Sequence, residues 1–165
     1  MLLIGGMSKE YELNSINAFR TRLAYLKMTD DMQPDIYLSL VANKQIGMAG
    51  FKLRLKAFFG HLDRTYLGPK WQKKSRDERT DGIGFVEKVK SHIHAHFAIR
   101  TPANAYLCNM KVHTENIWNV ICPSGTYDVQ MITARWGLTG YNTKEQEHEN
   151  YDWHDQVVYV RDFAT

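Results

Sequence analysis

The chain has 165 residues, 44% of them hydrophobic, and a formal net charge of +3. That length suggests one domain, residues 1–165, and that apolar content is enough for a packed core. Two cysteines, Cys108 and Cys122, are too few for a disulfide framework and form no C-x-x-C pair, which excludes the usual thiolate zinc site and fits a reducing, cytoplasmic setting.

Met1 to Ile4 is apolar, but glycines and then charges follow at once. Neither a signal peptide nor a membrane span is expected from that pattern. Leu13, Ile16, Phe19, Leu23 and Leu26 recur at close to helical spacing, which predicts a helix over 13–28 inside an N-terminal extension, residues 1–32. Asn14 or Ser15 offers a cap, and Asp30, Asp31 and Pro34 end it. The β-rich run Asp35 to Ala42 reads as a first strand, followed by a loop at Gly47 and Gly50. Phe51, Leu55, Phe58, Phe59 and Leu62 then mark an amphipathic helix, with Lys52, Arg54 and Lys56 in its first half.

Tyr66 to Asp81 is a long charged connection containing Gly68-Pro69 and the run Lys73-Lys74-Ser75-Arg76. Gly82 to Glu87 and His92 to Ile99 read as two strands joined by a tight turn near Lys88 to Ser91. Tyr106 to Val120 reads as a helix, with Asn109 as a possible cap. Thr126 to Thr133 alternates like a half-buried strand. Leu138 to Glu147 has a helical pattern, and Val157 to Val160 reads as a short edge strand within a C-terminal tail, residues 146–165. After the first helix the order is strand, helix, strand, strand, helix, strand. That order defines an α+β fold, the ferredoxin-like or RRM-like arrangement, with an antiparallel central sheet and helices packed on it.

Chemistry concentrates in three places. First, His92, His94 and His96 alternate along the third strand, so they share one face at about 7 Å spacing. With a turn at Lys90-Ser91, Glu87 lies opposite His94; with the turn one residue earlier it lies opposite His92. No Asn-Gly pair fixes the register, so the ligating histidines stay open. A carboxylate and two imidazoles suit a divalent ion such as Mn²⁺ or Mg²⁺; spacing alone gives a solvated polar face equal weight.

Second, Tyr141 and Lys144 are three apart on the expected last helix, where an ammonium favours a phenolate or holds a phosphate. Taken alone, such a pair is commonplace. Third, a basic stretch includes Lys52, Arg54, Lys56, Lys73, Lys74 and Arg76, which points to a polyanion partner as well as to an ordinary solvated helix face.

The combination resembles the HUH single-strand DNA endonucleases. His94-Ala95-His96 on a central strand, Glu87 upstream, and then Tyr141-Asn142-Thr143-Lys144 follow that superfamily's layout. The spacing of Glu87 to the histidine pair is similar to that of parvoviral replication proteins, and Asp35 to Lys44 resembles the superfamily's first motif. The tyrosine follows the histidines, as in rolling-circle replication initiators and single-tyrosine transposases. Position 137 is a glycine, and 142–149 hold no second tyrosine, so the resemblance is to the single-nucleophile type.

The resemblance implies Glu87, His94 and His96 as ion ligands with His92 as a spare, Tyr141 as nucleophile and Lys144 as its phosphate partner. It implies nicking and rejoining of single-stranded DNA at an origin hairpin, to start rolling-circle replication of a plasmid or phage. No GxxxxGK[ST] loop occurs, so unwinding and synthesis would fall to a host helicase and polymerase. The rival activity within the superfamily is transposition. The rival from another class is a non-catalytic RRM-like nucleic-acid binder.

Overall fold

The computed structural model describes residues 9–133 and 151–164. Within them a five-stranded antiparallel sheet carries helices on both faces, an α+β ferredoxin-like arrangement. The strands are β1 (Ile36–Val41), β2 (Asp81–Glu87), β3 (His94–Arg100), β4 (Thr126–Met131) and β5 (Val157–Tyr159), in the order β4-β1-β3-β2-β5. The helices are α1 (Lys9–Asp31), α2 (Gly47–Leu67) and α3 (Leu107–Ile121), with a single turn at Trp153–Gln156. As the sequence pattern implies, β1 and β3 are central neighbours and the short last strand caps an edge.

Alternation sorts the sheet into two faces. On one, Leu38, Leu40, Val86, Ala95, Phe97, Ile99 and Val129 form the main core under α2 and α3. The α2 residues buried there are Phe51, Leu55, Phe58, Phe59 and Leu62, the apolar positions its periodicity marks, together with Asp63. Gly82 and Gly84 of β2 belong to this face, and a Cβ on Gly84 would collide with the Phe97 ring. Phe97 can therefore lie flat over the sheet, edge-on to Phe59 at 5.1 Å between centroids. Asp63 fixes the end of α2 to the start of β2 by accepting bonds from the Thr80 backbone N–H (2.9 Å) and hydroxyl (2.6 Å).

The other face is split. Its β2–β5 half is apolar: Ile83, Phe85 and Val157 pack against Tyr25 and Met32 at the end of α1 and against Tyr151, Trp153 and Tyr159. Tyr25 meets Phe85 edge-on and stacks on Trp153 at 5.1 Å. The upper part of α1 is freer, leaving Ile16, Phe19 and Leu23 exposed. Toward β1 and β3 the same face becomes polar.

Four local expectations need correction. α1 starts at Lys9, so Asn14 and Ser15 lie inside it rather than at its cap. Asn109 is likewise inside α3, whose cap position is Tyr106 without a side-chain bond. Helix α2 begins at Gly47, which takes a left-handed φ of 67° at its first position, so Gly50 is helical rather than loop; packing of Phe51 and its partners outweighs a glycine cost of about 1 kcal/mol there. The third strand begins at His94, not His92. Lys88 takes a left-handed φ of 50° and its carbonyl accepts from Ser91 N–H, which opens a longer connection between the strands. The expected last helix at 138–147 lies outside the described residues.

Candidate metal centre

Cross-strand pairing brings the acid and the imidazoles together. Glu87 lies directly opposite His94, the register a Lys90-Ser91 turn gives, although the connection itself is wider. His96 is one step along the same face of β3. One ligand atom from each of Glu87, His94 and His96 falls within 4.8 Å of the other two. Glu87 Oε2 is 3.2 Å from His94 Nε2 and 3.6 Å from His96 Nε2. Glu87 is 4% exposed, so water is a poor source of compensating bonds for its carboxylate.

The remaining ring nitrogens are held from behind. His94 Nδ1 lies 2.8 Å from the His92 carbonyl oxygen. A carbonyl only accepts, so Nδ1 carries the proton and a neutral His94 turns its Nε2 lone pair to Glu87. A lone pair facing a carboxylate oxygen at 3.2 Å requires a positive group between them: a proton on the ring or a cation. His96 Nδ1 lies 2.6 Å from the Tyr37 hydroxyl and 3.0 Å from Ser39 Oγ. Burial pushes the pKa of His96 down to about 4, and positive charge at His94 and Lys88 adds to the shift. His96 is therefore neutral at neutral pH, the form that ligates. Two Nε2 atoms converging on one carboxylate, each backed by an outer hydrogen bond, fit a divalent ion.

His92 is not a member of this set. It sits in the β2–β3 connection with its side chain exposed, and its backbone carbonyl, not its ring, serves the site. Tyr141 and Lys144 lie outside the described residues.

The basic residues are elsewhere. Lys52, Arg54 and Lys56 are on α2, which packs against the opposite face of the sheet. Lys52 pairs with Asp155 at 2.6 Å, and Arg54 donates to the Gly50 carbonyl. Lys73, Lys74 and Arg76 are exposed in the connection after α2. Arg100 binds the Arg76 and Asp77 carbonyls there, at the end of β3 away from His94. None of the six is brought beside Glu87 and the histidine pair.

Sequence reasoning did not single out Tyr37 or Ser39. Ser39 pairs with His96 across β1 and β3, and Tyr37 reaches the same ring diagonally. The signal was the alternation of the first strand, but it becomes legible only once the β1–β3 register is known. No protein-family profile, no curated protein and no solved structure matches the chain. Among the described residues no helix is long and apolar enough to cross a membrane.

Proposed function

We propose that this chain is a metal-dependent single-strand DNA nickase of the HUH type, with Glu87, His94 and His96 holding the ion and Tyr141 as nucleophile. The observation that carries the reading is the convergence of both Nε2 atoms on the buried Glu87 carboxylate on adjacent strands.

When bound, a Mn²⁺ or Mg²⁺ ion would supply Lewis-acid charge at the scissile phosphoryl oxygen. The chain's own residues do the rest. Glu87, with His94 and His96, would hold the ion and offset its charge. The Tyr141 hydroxyl gives up its proton as its oxygen bonds to phosphorus; the bond from phosphorus to the 3′ oxygen breaks, and that oxygen takes up one proton in exchange and leaves as a hydroxyl. The product is a 5′-phosphotyrosine whose reversal rejoins the strand. Lys144 holds the phosphate or offsets its charge. Lys52, Arg54, Lys56, Lys73, Lys74 and Arg76 are assigned to flanking DNA, with salt-dependent affinity. The reaction would start rolling-circle replication of a plasmid or phage, with a host helicase and polymerase doing the unwinding and synthesis.

One observation favours catalysis over a purely binding RRM-like module. Such modules stack bases on exposed aromatics of the central strands. Here, among the described residues, the site face of β1 and β3 offers Tyr37, 4% exposed, together with Ser39, His94 and His96.

The test is incubation with single-stranded hairpin oligonucleotides and Mn²⁺, read as a detergent-resistant protein–DNA adduct. The adduct is expected from the wild-type chain, and not with chelator or from Tyr141→Phe. An adduct that survives in Tyr141→Phe would remove the nucleophile assignment, and one indifferent to chelator would remove the ion.

A further inference from the structure

We infer that Tyr37 is a positioning residue for the ion site, with Ser39 as its second: the two hydroxyls hold the Nδ1 proton of His96 and so aim its Nε2 at Glu87. The inference rests on Glu87, His94 and His96 being ion ligands, and it adds a role that the ligand set itself does not contain.

An imidazole has two nitrogens and, when neutral, one proton. Ligation through Nε2 requires that proton on Nδ1, where an acceptor must receive it. His94 meets this need with a main-chain carbonyl, which can do nothing but accept. His96 Nδ1 meets two hydroxyls, Tyr37 at 2.6 Å and Ser39 at 3.0 Å. Hydroxyls accept or donate, so they support the ligating tautomer and tolerate the other.

The geometry is also restrictive. Tyr37 is opposite Ala98 on β3, so its ring must lean diagonally along the strand to reach His96. It arrives with the two rings within 17° of parallel and their centroids 5.8 Å apart. That places the phenol oxygen, rather than the ring face, on Nδ1. Tyr37 is 4% and Ser39 8% exposed, so bulk water is a poor substitute for either hydroxyl. Removing the phenol oxygen takes away the shorter of these two contacts and gives His96 more freedom to rotate its Nε2 away from the carboxylate. Outer partners of this kind typically change metal affinity by about 10- to 100-fold.

The experiment is a Mn²⁺ titration of the full chain, with free Mn²⁺ read by electron paramagnetic resonance and the melting temperature taken in chelator. Tyr37→Phe keeps the ring and its packing, and is expected to weaken Mn²⁺ binding about tenfold. Ser39→Ala is expected to weaken it less, and the double variant toward about 100-fold. Ser39→Thr, which keeps a hydroxyl, should bind as the wild type does. A purely structural role would lower the melting temperature in chelator while leaving the affinity of the folded chain unchanged. Wild-type binding with unaltered affinity in Tyr37→Phe and in the double variant overturns this inference alone. Absence of Mn²⁺ binding in the wild type overturns the ion site and this inference with it.

Discussion

The two faces of one sheet show how differently the same strands can be used. On the α2–α3 face, β3 places Ala95, Phe97 and Ile99 in a closed apolar core, with Gly84 on β2 making room for Phe97 and Gly82 for Ile99. On the other, the alternate residues His94 and His96 meet Glu87, and every ring nitrogen of the pair has a polar atom within 3.6 Å. The first face is held by packing, so what matters there is volume. The polar half of the second is held by hydrogen bonds and charge, so what matters there is donor and acceptor identity. A one-residue slip of β3 would exchange the two faces, which is why the core also fixes the position of the ligands.

That contrast can be broken from either side. The largest effect expected is on the packed face: Phe97→Ala should cost about 3–5 kcal/mol in urea unfolding, with the midpoint shifting strongly. On the polar face, Glu87→Gln nearly conserves volume and should leave unfolding in chelator little changed. The same substitution should weaken Mn²⁺ binding more than about 100-fold, exceeding the effect of an outer partner. If Glu87→Gln instead unfolded the chain while binding survived, the division between the faces would fail.

A smaller effect sharpens the point that buried charge also occurs on the core side. Asp63→Ala strands two donors of Thr80 and should cost about 1–3 kcal/mol, whereas Asp63→Asn keeps an acceptor and should cost less. Burial raises the Asp63 pKa above the ordinary carboxylate value of 3.8, against the opposing Thr80 bonds. The folded chain therefore binds more protons there than the unfolded chain. This contribution falls as pH rises from that ordinary value through the raised one. Asp63→Asn should lack that component, as unfolding titrations over the acid range would show.

The smallest effect belongs to His92. Because only its carbonyl serves the site, His92→Ala should leave Mn²⁺ affinity within about twofold of wild type, while His94→Ala and His96→Ala lose it. A large loss in His92→Ala would show that the ring itself ligates.

The strand and helix order was legible because the apolar periods are clean: the spacing from Phe51 to Leu62 reappears as buried positions, while of the alternating Tyr127, Val129 and Met131 only Val129 is fully buried on this edge strand. The triad was legible for the same reason, since alternation puts His94 and His96 on one face. Its outer partners were not. They depend on pairing between β1 and β3, which are far apart in the chain and whose register no local turn encodes. The break at His92 was hidden as well: nothing in Lys88-Val89-Lys90-Ser91 announces the left-handed φ that widens the connection. Charge gave an amount but not a side. Lys52, Arg54 and Lys56 are read correctly as one basic helix segment, yet only the packing of Phe51 and Leu55 shows which face of the sheet that helix covers.

The central claim is that Glu87, His94 and His96 together hold one divalent ion. Anomalous diffraction from crystals of the chain grown with Mn²⁺ tests it most directly. One strong peak is expected, in bonding contact with a Glu87 carboxylate oxygen and with Nε2 of both His94 and His96. Mn²⁺ peaks elsewhere with none at this position, or a peak ligated by the His92 ring, would contradict it.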